Sequence, residues 1–226
     1  MIKHTQLLSV QVGLPLTLTD NQPGDSAEKT WTTSFLKQPV AGRVWLGKTN
    51  VTGDRQASST HGGPDKAVCV YPFEHYSYWQ SELDLPDLVY GAFGENFTTQ
   101  GMLENDACIG DTLIFGDAIA QISQPRPPCW RLSRWWKRED FAARMEKTGQ
   151  TGWYLRVIRE GYIEAGMKVE LAERSYPEWS VSLAHDFMYD HRDDLEEMRR
   201  LADCPLLSDG WREGLLKKIA KRVARV

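Results

Sequence analysis

One cysteine of this 226-residue sequence lies among residues that favour a reactive thiol. Cys129 ends the run Gln124-Pro125-Arg126-Pro127-Pro128-Cys129, where prolines stiffen the loop and Arg126 places a guanidinium three residues from the sulfur. Nearby positive charge favours the thiolate, which is a soft metal ligand and a nucleophile. The alternative is a small buried apolar residue, as we expect for Cys69 and Cys108 on strand-like segments. The residue types leave both interpretations of Cys129 open.

A glycine-rich segment has the composition of an anion-binding turn. In His61-Gly62-Gly63-Pro64-Asp65-Lys66, the two glycines let the backbone approach a ligand closely, and Lys66 adds a positive charge. An ordinary turn before a strand, with Lys66 in solvent, explains the same residues. His61 could bind a metal, carry a proton or cap the turn.

Two further segments combine glycine with polar side chains. Glu95-Asn96, after Gly94, presents a carboxylate and an amide on a bend, which suits the edge of a heterocycle, although turn formation alone explains Asn and Gly. Arg55, in Gly53-Asp54-Arg55, is either a ligand-binding cation or an ordinary surface residue. The run from Trp130 to Arg138 could rim a pocket or dock a partner, and scatter on the surface is the default interpretation.

From the N-terminus to about residue 130, the sequence predicts mainly short strands, and these strands must position the segments described above. Strand composition marks the segments Gln6 to Val12, Trp31 to Leu36, Arg43 to Leu46, and Lys66 to Tyr71. A hairpin is predicted from Asp111 to Ser123 around Gly116-Asp117, and its second strand leads directly to the loop of Cys129. Trp153 to Ile158 and Lys168 to Ala172 then return as strands, which completes a barrel or rolled sheet. The fold class is therefore a β-rich α+β protein.

The hydrophobic period changes near residue 175. A short helix is already predicted from about Glu139 to Lys147. Three more are predicted at Ser180 to Tyr189, Asp193 to Ala202 and Asp209 to Val223, each with Ser or Asp near its start. We predict a main domain over residues 1–174 and a three-helix domain over 175–226. The tail has nearly balanced charge, which favours a packing or docking module over a nucleic-acid-binding one.

Composition limits the classes of function. With 27 basic and 31 acidic residues, the net charge of −4 gives nucleic acid no general reason to bind. The four cysteines form no Cys-x-x-Cys pair, which argues against a zinc ribbon or a disulfide scaffold. No secretion signal and no membrane-length apolar run is seen, so we expect a cytoplasmic protein without a membrane partner.

Taken together and in order, these segments resemble the MOSC domain, and within it the YiiM-like proteins. The resemblance lies in Gly53-Asp54-Arg55, the block from His61 to Val68, Gly94-Glu95-Asn96-Phe97, Ile109-Gly110-Asp111, Gln121-Ile122-Ser123 and the Pro-Arg-Pro-Pro-Cys loop. The helical tail resembles the three-helix appendage of that family. The resemblance implies a MOSC β-barrel-like domain that binds the molybdenum cofactor, which is molybdenum complexed to molybdopterin.

The resemblance also implies roles for particular residues. Cys129 would be the protein ligand to molybdenum. Arg55, Lys66 and the backbone of Gly62-Gly63 would bind the phosphate of the pterin. The remaining candidates are Arg126 and Asn96 near the metal and pterin, His61 as a cofactor-binding residue or acid, and Asp65 and Glu95 as alternative proton donors.

Relatives of this kind reduce N-hydroxylated compounds, including hydroxylamino purine base analogues, so the resemblance implies the same activity. The sequence has no Gly-x-Gly-x-x-Gly fingerprint for a flavin or nicotinamide, so a separate flavoprotein reductase is expected to donate the electrons. Two alternatives stay open. One is a carrier of molybdenum cofactor or sulfur on Cys129, and the other is a hydrolase with Cys129, His61 and Asp65 as its triad.

Overall fold

The computed structural model describes residues 4–20, 29–58, 61–85, 87–189 and 191–224. Its strands and α-helices, in chain order, are β1 (Thr5–Val12), β2 (Leu16–Asp20), β3 (Lys29–Thr33), β4 (Gln38–Pro39), β5 (Val44–Leu46), β6 (Val68–Pro72), α1 (Tyr76–Leu83), β7 (Phe97–Gln100), β8 (Thr112–Phe115), β9 (Ala118–Pro125), α2 (Trp130–Trp136), α3 (Phe141–Thr148), β10 (Trp153–Arg159), β11 (Gly161–Ile163), β12 (Lys168–Glu173), α4 (Val181–Met188), α5 (Leu195–Ala202) and α6 (Asp209–Val223). Among these helices, none combines the length and the apolar character needed to cross a membrane.

Seven strands close into a barrel. They follow the order β12-β8-β9-β10-β6-β7-β1, and β1 pairs back onto β12, so this sheet has no free edge. β4 adds to β1 outside the closed ring, and β6 and β7 form a parallel pair. The predicted fold class, a β-rich barrel with a small helical appendage, is confirmed.

The hairpin formed by β8 and β9 confirms the strongest local prediction. Phe115 pairs with Ala118, which leaves Gly116-Asp117 as the two-residue loop, and Gly116 has a φ of 57° that suits glycine. β9 continues two residues beyond the predicted end, to Pro125. A proline has no N–H to donate to a neighbouring strand, so the sheet ends where the Cys129 loop begins.

Three local predictions differ from the structure. The strand expected from Lys66 begins only at Val68, because Pro64–Lys66 forms a 3₁₀ turn with a proline in its first turn. The strand expected to reach Leu36 ends at Thr33, whose hydroxyl accepts a hydrogen bond from Phe35 N. Helix α2 was not predicted, because its tryptophans and arginines form no clear apolar face in the sequence.

The three predicted C-terminal helices are present. Ser180, Asp194 and Ser208 each accept a backbone N–H with the side chain and cap α4, α5 and α6. Buried residues of these helices, including Phe187 and Leu215, belong to the same hydrophobic core as the inner faces of the barrel strands. The boundary between residues 174 and 175 falls between β12 and α4, and the division into two domains stays a prediction.

Ser208 both caps α6 and connects it to the barrel. Its hydroxyl accepts from Trp211 N at 3.2 Å and donates to Gln124 Oε1 at 2.7 Å. We expect Ser208→Ala to lower the free energy of unfolding by about 1–2 kcal/mol, because a cap and a buried hydrogen bond are lost together. The exposed Ser81→Ala in α1 is the control, with a change within about 0.5 kcal/mol in urea unfolding. Equal effects of the two substitutions would contradict this role of Ser208.

Candidate functional site

Strand register brings two of the predicted site segments to the same level of the barrel. Val70 pairs with both Phe97 and Trp153, and Trp153 pairs with Pro125 on its other side. Phe97 starts β7 and Pro125 ends β9. Asn96, just before β7, and Arg126, just after β9, are therefore each next to an end of this row of paired residues. The backbone also fixes this arrangement, because Arg126 N donates to Gly152 O at 3.0 Å.

A cleft opens beside this row. Its empty volume, including open solvent at the mouth, is about 760 Å³. Most of the predicted cofactor-binding residues line it. The charged or titratable residues of its lining are Lys37, Asp54, His61, Lys66, Cys69, Arg126, Cys129, Arg131 and Tyr154. Four fixed positive charges against one carboxylate favour an anionic ligand.

Cys129 lies in this cleft as the N-cap of α2. Its sulfur is 3.8 Å from His61 Nε2 and 3.9 Å from an Arg131 guanidinium nitrogen. Burial opposes ionisation, but hydrogen bonds from His61 and Arg131 outweigh it and lower the pKa of Cys129 to about 7. Burial instead raises the pKa of Cys69, Cys108 and Cys204. Cys129 is thus the cysteine that can present a thiolate near neutral pH.

The reactivity of Cys129 is expected to follow this pKa. In protein without bound cofactor, we expect the alkylation rate at Cys129 to rise with pH through a midpoint of about 7 and then level off, because the thiolate is the nucleophile. His61→Ala removes a donor to the sulfur, and the midpoint should move upward, towards or above the ordinary thiol value of about 8.5. His4→Gln is the control, since His4 is exposed and lies outside the cleft. A midpoint that His61→Ala leaves unchanged would contradict the assigned cause.

Arg126 and Arg131 have nitrogens that lack partners at the cleft. Arg126 is 5% exposed, and one of its terminal nitrogens donates to Phe93 O. The other, Nη1, and Arg131 Nε are buried without a hydrogen-bond partner among the described residues. Leaving a buried guanidinium N–H unsatisfied is costly, and both residues line the cleft, so an anion bound there would lower this cost once the side chains turn towards it.

One wall of the cleft is a buried ion pair. Asp54 Oδ1 accepts from Lys37 Nζ and from Gly13 N, and Asp54 Oδ2 accepts from Asn96 Nδ2 at 2.9 Å. Asn96 in turn accepts from Cys69 N at 3.1 Å and joins β6 to β1 through Gln11 O. The Asn96 amide is therefore engaged by protein groups on both sides, and it holds the wall in place.

Only some residues of the glycine-rich turn line the cleft. Gly62, His61 and Lys66 line it, and Gly62 and Gly63 have φ values of 90° and 89° that side chains rarely adopt. A Cβ on Gly62 would come within 2.7 Å of the end of the Gln56 side chain, which can move aside, so the positive φ is what favours glycine there. Arg55 instead lines a shallower depression next to the cleft, which shares Gln56 with it.

The structure places the two predicted carboxylic acids away from the cleft. Glu95 is fully buried and accepts hydrogen bonds from four donors: Tyr76 Oη, Gly91 N, Phe93 N and Thr98 Oγ1. Asp65 accepts from Arg156 Nε at 2.8 Å and does not line the cleft. The geometry supports neither residue as a proton donor, because each is held by protein groups outside the cleft.

An aromatic cluster fixes α2 behind the cleft. Leu132 of α2 packs in a buried group with Phe93 and Phe141, and the Phe93 and Tyr71 rings stack at 4.2 Å. The carbonyl of Phe93 also holds Arg126. This packing positions the helix whose first turn donates to the sulfur of Cys129.

The sequence predictions gave no individual role to several cleft residues, among them Arg131, Lys37 and Tyr154. Arg131 follows Cys129 by two residues, and the predicted basic and aromatic run contained it without a role. Lys37 and Tyr154 gave no local signal, because only the barrel closure brings them to Cys129.

Comparison with known proteins agrees with this fold. The sequence model of the MOSC domain matches residues 57–170, so the chain is a MOSC domain protein. The sequence model described as the YiiM-like, 3-alpha helix domain matches residues 179–222. The chain belongs to the YiiM-like family of MOSC domain proteins.

Relatives and solved structures cover nearly the whole chain. It is 39% identical to the Bacillus subtilis protein YflK over 94% of this chain and 93% of the relative, and 36% identical to Escherichia coli YiiM over 82% and 84%. The crystal structure of YiiM from Geobacillus stearothermophilus aligns with a TM-score of 0.79 at 35% identity, over 95% of this chain and 99% of that one. A Gibberella moniliformis protein named Reductase is 41% identical over 66% of this chain, which matches 27% of that longer protein.

Proposed function

We propose that this protein is a molybdenum cofactor-dependent oxidoreductase that reduces N-hydroxylated compounds, such as hydroxylamino purine base analogues. The observation that carries the proposal is Cys129, a partly exposed thiol with a lowered pKa in a cleft lined by cations. Such a thiolate is the soft donor that molybdenum needs, and the dithiolate of the pterin supplies the other sulfur ligands.

The residues of the cleft fit such a cofactor. The unsatisfied Nη1 of Arg126 and Nε of Arg131 lie buried at the cleft that Cys129 lines, as expected where oxygen atoms of a bound anion accept hydrogen bonds. Lys66 and the Gly62 turn lie on the same cleft and are the candidates for the pterin phosphate, with Arg55 in the adjoining depression. Asn96 positions the wall through Asp54 and does not need to contact the cofactor.

The proposed reaction consumes two electrons and two protons. The N–O bond of the substrate breaks, the nitrogen gains one proton in place of the hydroxyl group, and the hydroxyl takes the other proton and leaves as water. The bound cofactor would supply the centre that takes the oxygen and transfers the electrons. Among the residues of this chain, His61 is the candidate for delivering a proton, because its Nε2 is close to the sulfur of Cys129.

Electrons would come from a separate flavoprotein reductase. The sequence contains no dinucleotide-binding fingerprint that could hold a flavin or nicotinamide. The match to one part of a longer protein named Reductase supports a reductive role for a domain of this kind. Nucleic acid is not among the proposed partners.

The competing functions predict different requirements. A hydrolase triad would need His61 to be oriented by Asp65, but Asp65 pairs with Arg156, and no hydrogen bond joins Asp65 to His61 among the described residues. A carrier of cofactor or sulfur would bind its cargo at Cys129 and release it to an acceptor protein.

The test is turnover of an N-hydroxylated purine base with a reduced viologen dye as the electron donor. Protein from a host that makes molybdenum cofactor should form the amino base, while protein from a cofactor-deficient host should not. Equal loss of substrate in both preparations without the dye, with hydroxylamine released and no amino base formed, would favour the hydrolase. Stable cofactor without turnover, but with transfer to an acceptor, would favour the carrier.

A further inference from the structure

A second group of metal-binding side chains lies at the end of α4, apart from the cleft. His185 and Asp186 are on the last turns of the helix, and His191 N donates to Asp186 O at 2.9 Å, so His191 lies against the end of α4. His191 Nδ1 is 3.3 Å and His185 Nδ1 is 3.8 Å from Asp186 Oδ1. One ligand atom from each of the three residues lies within 4.8 Å of the others. None of the three lines the cleft.

The ring of His185 is buried, and its nearest carboxylate oxygen, on Asp186, is beyond hydrogen-bond distance at 3.8 Å. Its side chain is 0% exposed, and neither Nδ1 nor Nε2 has a hydrogen bond among the described residues. A neutral imidazole carries one N–H and one lone pair, so burying both without partners is costly in either tautomer. The tilted ring of Tyr189, with ring centroids 4.6 Å apart, packs against the His185 ring but satisfies neither nitrogen. A bound cation at the cluster would give one nitrogen its missing partner.

The spacing fits a small tetrahedral ion. Zinc binds histidine nitrogen and carboxylate oxygen at about 2.0–2.1 Å, so two of its ligand atoms lie roughly 3.4 Å apart. The contact of 3.3 Å between His191 and Asp186 matches this edge and is longer than the about 2.7–2.9 Å of a strong charged hydrogen bond. His185 Nδ1 is 3.8 Å from Asp186 Oδ1 and the ligand atoms of the two histidines lie within 4.8 Å of each other, so zinc binding would draw the two histidine side chains closer together. The side chains of Asp186 and His191 are 38% and 34% exposed, so solvent can reach a fourth position.

We propose that His185, Asp186 and His191 bind a zinc ion that ties α4 to the turn leading towards α5. Two histidines and one carboxylate are the ligand types zinc prefers, and an open fourth position would be filled by water. The site would stabilise the helical region and does not depend on the function proposed for the cleft.

The test is zinc titration of the full-length protein carrying Cys129→Ala, so that the cleft thiolate does not bind the added metal. We expect one equivalent to bind and to raise the melting temperature. His191→Gln and Asp186→Asn should each weaken binding about tenfold or more and remove the thermal shift. Both side chains are partly exposed, so these variants should stay folded.

Matched controls separate this site from general surface binding. Asp193→Asn changes a nearby carboxylate that is 81% exposed and pairs with Arg222, and His4→Gln changes an exposed histidine far along the chain. Neither control should alter zinc affinity. Failure to bind one equivalent, or equal affinity in the His191→Gln and control proteins, would overturn the proposal. A cobalt-substituted protein should show the strong visible absorption of a tetrahedral site, and a weak octahedral spectrum unchanged by His191→Gln would also overturn it.

Discussion

Cys129→Ala is expected to lower reductase turnover on the order of 10³-fold, equivalent to about 4 kcal/mol of lost transition-state stabilisation. Cys129 is the thiol of the cleft with a lowered pKa, and in the proposed site it is the protein's ligand to the metal. Alanine offers no donor atom, and no other cysteine can replace it, because burial raises the pKa of the remaining three. The measurement is dye-linked reduction of an N-hydroxylated base at saturating donor.

Cys204→Ala is the matched control for this prediction. Cys204 is 3% exposed and lies in the segment between α5 and α6, outside the cleft. Its removal leaves a small cavity but should leave turnover within about twofold of wild type if the variant is folded. Circular dichroism and the melting temperature of both variants show whether each keeps the fold. A Cys129→Ala protein that is folded and retains most of its turnover would contradict the role of Cys129 as the metal ligand.

Asp54→Asn is expected to lower the free energy of unfolding by about 3–5 kcal/mol, because it leaves the ammonium of Lys37 buried without its counter-charge. The Lys37 and Asp54 side chains are only 7% and 10% exposed. Both Asp54 oxygens accept hydrogen bonds, including those from Gly13 N and Asn96 Nδ2. Asparagine has only one oxygen, so its NH₂ group would face one of these donors. Urea unfolding at neutral pH measures the change.

A surface pair provides the control for Asp54→Asn. Asp117 pairs with Arg43 at 2.7 Å, but the two side chains are 63% and 59% exposed, so Asp117→Asn should cost less than about 1 kcal/mol. The double variant Lys37→Met, Asp54→Asn removes the buried charge as well, and we expect it to be more stable than Asp54→Asn alone. Equal stabilities of Asp54→Asn and Asp117→Asn would show that the buried pair does not hold the wall of the cleft.

The sequence was most informative where local chemistry and turn residues coincide. The loop of Cys129 follows a hairpin that Gly116-Asp117 predicts, so the location of the thiol at the end of β9 followed from neighbouring residues. The helices of the C-terminal region were equally predictable, because Ser180 and Asp194 are capping residues before amphipathic segments. These features depend on short stretches of chain.

Contacts between residues far apart in the sequence decide the parts of the site that could not be predicted. Lys37 reaches the cleft because its salt bridge with Asp54 crosses between distant loops, and no residue near Lys37 in the sequence indicates this. Glu95 has the composition of a reactive acid on a glycine bend, but the fold surrounds it with four donors. Whether a polar residue serves the ligand or the fold depends on partners that only the closed barrel brings together.

The central claim is that Cys129 binds molybdenum as part of the cofactor. Elemental analysis of protein produced in a host that makes the cofactor tests it most directly, with wild type beside Cys129→Ala. We predict close to one molybdenum per wild-type chain and a large loss in the variant. Equal molybdenum contents in the two proteins, whether both contain the metal or both lack it, would contradict the assignment.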